Sequence, residues 1–130
     1  MLDHVGVAVS DIKKSRAFYE AALRPLGVAV RTEVTPDQTG DGSTALGFGA
    51  EGDHGFFWVS DDGKVGGGTH IALAADRREQ VDAFYEAAIA AGGRDNGKPG
   101  PRPHYGPDYY AAFVCDPDGI NFEVVCNRPE

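Results

Sequence analysis

His4 and His70 stand 66 residues apart, and the letters around them match at the same offset. The stretch AFYEAA fills residues 17–22 and again 83–88, Gly27 falls on Gly93, and Val5, Val7 and Phe18 fall on Ile71, Leu73 and Phe84. Two imidazoles at equivalent points of an internal repeat are candidates for one shared task. In LDHVGVAVS, Val5, Val7 and Val9 share one face of an alternating strand, opposite His4, Gly6 and Ala8. In THIALAA, Ile71, Leu73 and Ala75 lie opposite His70, Ala72 and Ala74. Both histidines therefore fall on faces of small residues, which leave room above each ring. A third candidate lies near the end of the chain. In DGINFEVVC, Phe122 and Val124 share one face while Asn121, Glu123 and Val125 share the other. A carboxylate in mid-strand among Phe, Val and Ile is costly to bury alone, and a metal ion can partner it. Two neutral imidazoles and one carboxylate from three strands make a facial triad with open positions for substrate oxygens. Such a set suits Fe(II), Mn, Ni, Co or Zn. A lone strand histidine is commonly a hydrogen-bonded core residue. Two at matching repeat positions, with a glutamate on the corresponding face, favour His4, His70 and Glu123 as metal ligands.

Elements that could position these groups recur in both halves. The opening strands are each followed by a helix. The first runs from about Asp11 to Arg24, buries Phe18 and Ala22, and is stopped by Pro25. The second opens on a capping-box pattern of Asp76 and Glu79, carries the stripe Val81, Phe84 and Ala88, and ends at Gly92-Gly93. AFYEAA is then the helical stretch that packs Phe18 or Phe84 onto its own half-sheet. Strands follow: VAVRTEV, TALGFGA and GFFWVS in the first half; a poor short one near Arg94, then YYAAFVC and INFEVVC joined by the turn DPDG in the second. Each half reads as βαβββ. The expected fold is α+β, one domain over 1–130. Its two modules, about 1–62 and about 68–128, form a curved, half-open mixed sheet around a concave cleft. NGKPGPRPHYGPD, between Asn96 and Asp108, reads as a long irregular connection.

Bulk properties narrow the function classes. With 12 basic and 20 acidic residues the formal charge is −8, which repels phosphate backbones and argues against nucleic acid. No apolar run approaches a membrane span, and MLDHVGVAVS lacks the basic start and long apolar run of a signal peptide. Cys115 and Cys126 form no disulfide framework and read as free thiols in a reducing, cytoplasmic setting.

The segments DHVGVAVSDIKKSRAFYEAAL, THIALAA, VDAFYEAAIAAGG and above all AFVCDPDGINFEVV carry a further signal. On these the chain resembles the vicinal oxygen chelate superfamily, which includes glyoxalase I, extradiol dioxygenases and bleomycin- or fosfomycin-resistance proteins. The resemblance covers nearly the whole chain. It implies first-strand ligands at His4 and His70, a last-strand ligand at Glu123, a bound divalent metal and a homodimer. The matching first-half segment, HGFFWVS, places Trp58 or Val59 where a glyoxalase-type fourth ligand would fall. Neither binds metal, so the remaining three match the extradiol-dioxygenase arrangement better than that of lactoylglutathione lyase.

Chemistry on a chelated substrate still needs a proton acceptor, and RPHYGPDYY supplies His104, Tyr105 and Tyr110 as catalytic candidates. Arg102 could attract an anionic substrate, although a surface arginine is the plainer reading. The leading expectation is a metal-dependent enzyme of glyoxalase/dioxygenase type, acting on a small molecule with adjacent oxygens. The alternative is a metal-free small-molecule binding protein of the bleomycin-resistance kind. Whether His4 meets His70 in its own chain or in a second copy is not legible at this level.

Overall fold

The alternation around both histidines becomes two edge strands. The computed structural model describes residues 2–130. Module one runs β1 (Val5–Ala8), α1 (Ile12–Leu23), a 3-10 turn (Arg24–Leu26), β2 (Ala29–Val34), the single-turn α2 (Pro36–Thr39), β3 (Ala45–Gly49) and β4 (Phe57–Ser60). Module two runs β5 (His70–Ala74), α3 (Arg78–Ala90), β6 (Arg94–Pro101), β7 (Tyr110–Cys115) and β8 (Asn121–Cys126). The architecture is the expected α+β class. It consists of two four-stranded sheets, ordered β1-β4-β3-β2 and β5-β8-β7-β6. In each sheet the opening strand pairs parallel with the last strand of its module, and the remaining pairs are antiparallel. No described helix is long and apolar enough to cross a membrane.

Local chemistry explains the boundaries. Asp11 caps α1, its carboxylate accepting from the Lys14 amide. Pro25 then tightens the last turn instead of continuing the helix. At α3 the expected pairing of Asp76 with Glu79 is corrected: Gln80 fills that role, its side-chain oxygen accepting from the amides of both Asp76 and Arg77. The helix starts one residue later than the sequence pattern places it, and that shift puts Gln80 at the third helical position. The irregular connection is also shorter than expected. Its first half belongs to β6, an edge strand whose register breaks on either side of Gly97. Gly97 has φ +148°, and Pro99 and Pro101 are tolerated because one side of the strand has no partner.

One core serves both modules. Val7, Val9, Phe57 and Val59 of the first sheet and Ala112, Val114, Phe122 and Val124 of the second are buried in the same cluster. Tyr19 of α1 lies at the junction, with ring centroids 5.0 Å from Phe57 and 5.3 Å from Phe122; Phe57 and Phe122 are themselves 5.2 Å apart. Edge-to-face geometry of this kind adds to simple burial. Phe84 keeps to its own sheet, beside Phe122. Phe18 does not: a Cβ placed on Gly93 of module two would lie 2.7 Å from its ring. The repeated hexapeptide thus builds the junction between modules as well as each half.

A polar clamp closes that junction. Asp116 of the DPDG turn is buried, and the Tyr19 hydroxyl donates to its Oδ2 at 2.9 Å. Its Oδ1 accepts from the amides of Asp118 and Ile120, each at 2.8 Å. Asp118 reaches back to module one, accepting from the Ser10 amide at 3.1 Å and from the Ser10 hydroxyl. Burial raises the Asp116 carboxyl above its ordinary value, against the lowering effect of these donors. Tyr19→Phe leaves Oδ2 without its protein donor and is expected to cost about 1–3 kcal/mol in urea unfolding. Because the folded-state value is raised, the native state keeps the Asp116 proton to higher pH than the unfolded chain. Its contribution to stability is therefore greatest below the ordinary carboxylate range and declines as pH rises through the folded value. Asp116→Asn is expected to remove that decline, seen as a pH-dependent difference in unfolding free energy between the two proteins.

Candidate functional site

Since the shared core takes one face of each sheet, the small-residue faces turn away from it. In module two this outer face carries His70, Ala72 and Ala74 from β5, Asn121, Glu123 and Val125 from β8, and Phe113 from β7. Register brings these together, with His70 opposite Asn121, Ala72 opposite Glu123 and Phe113 opposite Glu123. The Glu123 side chain is only 3% exposed, while that of His70 is 42% exposed. His70 Nε2 lies 2.9 Å from Glu123 Oε1, and the Tyr109 hydroxyl donates to Oε2. Both carboxylate oxygens thus have partners, as a buried carboxylate requires. The Tyr109 phenol is pushed up to about 12, first by burial and then by its hydrogen bond to Glu123, so it holds its proton at neutral pH. The Phe113 ring lies beside His70, with centroids 6.1 Å apart. A cavity of about 370 Å³ opens over His70, Tyr105, Tyr109, Phe113, Asn121 and Glu123.

Tyr105 is 61% exposed and stacks between His104, at 4.1 Å, and Tyr109, at 5.3 Å. Two of the expected proton-transfer candidates, His104 and Tyr105, therefore stand at this cavity or beside it. Tyr110 does not join them. It lies on the α3 side of the sheet, its hydroxyl donating to Asp82 at 2.7 Å with the Arg78 guanidinium 4.9 Å from its ring. Tyr109 was absent from the sequence candidates, yet the signal was present in YGPDYY. Adjacent tyrosines entering a strand face opposite ways, and Ala112 and Val114 assign the even positions of β7 to the core.

His4 occupies the corresponding place in the other sheet, immediately before β1. Its side chain is 60% exposed and Nδ1 lies 2.6 Å from Asp3 Oδ1. Among the described residues no three His, Cys, Asp or Glu side chains form a group able to hold a metal ion. His70 and Glu123 meet within the chain; His4 is not with them. The registers also identify the counterpart of Glu123. Two residues after His70, Ala72 pairs with Glu123; two residues after His4, Gly6 pairs with Trp58. Trp58 lies across glycine backbone, since a Cβ on Gly47 would fall 2.7 Å from its ring, and its Nε1 donates to the Gly55 carbonyl. An indole thus takes the place of a second carboxylate.

A family model described as the glyoxalase/bleomycin resistance protein/dioxygenase superfamily matches residues 1–124. The chain belongs to this superfamily. It is similar to the crystal structure of a glyoxalase/bleomycin resistance protein from Albidiferax ferrireducens T118, at 31% identity over 99% of both chains and a TM-score of 0.77. It also resembles glyoxalase I from Zea mays, at 25% identity and a TM-score of 0.69, covering 99% of this chain and 45% of that one. A glyoxylase/bleomycin resistance protein/dioxygenase domain from Frankia sp. EAN1pec, at 18% identity and a TM-score of 0.73, shares the fold. A search of curated proteins found no significant match.

Superfamily members of the glyoxalase I kind use a metal, and the residues here fit half of such a site. A buried carboxylate and an imidazole with its Nε2 directed at that carboxylate are suitable donors, but the third candidate is remote. The Tyr109 contact can be read directly. Glu123→Gln removes the negative charge that helps hold the phenol proton, so Tyr109 is expected to titrate below about 12 but above an ordinary phenol, because burial persists. Ultraviolet tyrosinate titration, with Tyr109→Phe subtracted, measures this.

Proposed function

We propose that the chain is a metal-dependent enzyme of the glyoxalase/dioxygenase type, acting on a small molecule with two adjacent oxygens at a site shared between two copies. The buried Glu123 carboxylate in contact with His70, on a cavity-bearing sheet face, carries this reading. His70 and Glu123 of one copy and His4 of a second would be the ligands. When bound, a divalent cation at this set supplies charge stabilisation to a substrate oxygen. The chain's own groups do the rest. Protonated Tyr109 fixes the orientation of Glu123, Phe113 forms an apolar wall, and His104, stacked on Tyr105 at the cavity edge, is the nearby side chain whose imidazole can take up a proton. Tyr110, tied to Asp82, is the least suited of the expected candidates.

Strand order supports a homodimer. β1 and β5 are both sheet edges, each beginning at or just after a histidine, and each has an unpaired side. An edge of this kind favours cover by another chain, and bringing β1 of one copy beside β5 of another carries His4 toward His70 and Glu123. Trp58 in place of a fourth ligand favours dioxygenase-type chemistry over lactoylglutathione lyase. Among the described residues of one chain no three-ligand group forms, which is the observation that favours the second reading, a metal-free binding protein.

Complementation distinguishes the two. Protein purified without chelators is expected to carry near-stoichiometric metal, and His4→Ala and Glu123→Gln to lose most of it singly. Mixed dimers of those two variants contain one intact site, so they are expected to regain about half the metal per dimer. A site within one chain would regain none, and metal-free wild-type protein would support the binding-protein reading.

A further inference from the structure

Beside the His70–Glu123 cavity lies a second pocket of about 320 Å³, lined by Asn96, Gly97, Arg102, His104, Tyr105, Phe113 and Asn121. Tyr105, Phe113 and Asn121 border both, so the two form one trough. Arg102 is its only cationic residue of fixed charge. The guanidinium is held by backbone: Nη2 donates to the Lys98 carbonyl at 2.7 Å, and Nη1 to those of Gly100 at 2.8 Å and Pro101 at 3.4 Å. It lies 5.6 Å from the Phe113 ring centroid. These carbonyls orient the fork but neutralise no charge. Among the described residues no carboxylate forms an ion pair with Arg102. A guanidinium has five N–H donors, and here three carbonyl contacts leave Nε and part of Nη2 without a protein acceptor. Across the pocket, Asn96 Nδ2 donates to Asn121 Oδ1 at 3.1 Å, which leaves the Asn121 amide hydrogens available.

We propose that Arg102 and Asn121 form an anion subsite that holds a carboxylate of the substrate, with the body of the substrate lying against Phe113 and Tyr105. A planar, pre-oriented arginine fork suits a carboxylate, and an apolar floor strengthens the interaction by limiting its hydration. Asn121 and Glu123 point the same way from β8, on the order of 7 Å apart along the strand. The subsite therefore selects small, flat, oxygenated molecules carrying a carboxylate at about that distance from their reacting oxygens. Only the placement of those oxygens rests on the proposed function; the carboxylate contact is independent of it.

The test compares 3,4-dihydroxybenzoate with its neutral amide by calorimetric titration, on both chelator-treated and Mn(II)-loaded protein. Wild type is expected to bind the carboxylate roughly tenfold or more tightly than the amide. Arg102→Gln is expected to abolish that preference, and Arg102→Lys to retain part of it, which separates lost charge from a disturbed loop. Equal binding of the two compounds by wild type, no measurable binding of the carboxylate, or a preference that survives Arg102→Gln would overturn the proposal. The preference on chelator-treated protein tests the subsite alone. A chain that shows it but takes up no metal would retain the subsite and lose the enzymatic reading.

Discussion

Tyr19 sets the arrangement on which everything else depends. Its ring fills the space between Phe57 of one sheet and Phe122 of the other, and its hydroxyl reaches the buried Asp116. Packing the helix-bearing faces of both modules into one core has a geometric consequence. Each sheet has two faces, and burial of one leaves the other for function. Both histidine-bearing faces therefore turn outward, and a single chain does not bring them together. The DPDG turn, the most distinctive stretch of the sequence, belongs to this arrangement: Asp116 and Asp118 bind module two to Tyr19 and Ser10 of module one.

Duplication supplied two equal frames, and divergence gave them different tasks. The same register position holds Glu123 in one sheet and Trp58 in the other. Around Glu123 the second module gathered polar partners, namely His70, Tyr109 and, further along the trough, Asn121 and Arg102. Around Trp58 the first module gathered glycines, because an indole lying against the strands needs neighbours without a Cβ. The first module presents Trp58 on that face, with the exposed His4 just ahead of β1. The second offers the buried carboxylate. Among the described residues, neither module gathers three metal-ligating side chains, and the chain keeps His4 apart from His70 and Glu123.

Several local readings succeeded because they depend on near neighbours. Strand alternation placed Phe122 and Val124 in the core and Glu123 with His70 on the other face, since side-chain direction follows residue parity. Others failed because a single residue of offset matters. The α3 cap passed from Glu79 to Gln80, and β6 continued through prolines that a central strand would refuse. Tyr109 and Tyr110 face opposite ways, and parity with Val114 puts Tyr110 on the core side and Tyr109 beside Glu123.

The sequence by itself determined the duplicated βαβββ plan, the α+β class and the faces on which His4, His70 and Glu123 lie, because periodicity and turn chemistry are local. Tertiary structure alone decided which of those side chains meet. Contact between remote residues depends on how the two modules pack, and that was settled by an aromatic junction whose partners, Tyr19, Phe57 and Phe122, lie far apart in the chain. The fold brought His70, Glu123 and Tyr109 together, sent Tyr110 to the helix side, and left His4 just ahead of the edge strand of the other sheet.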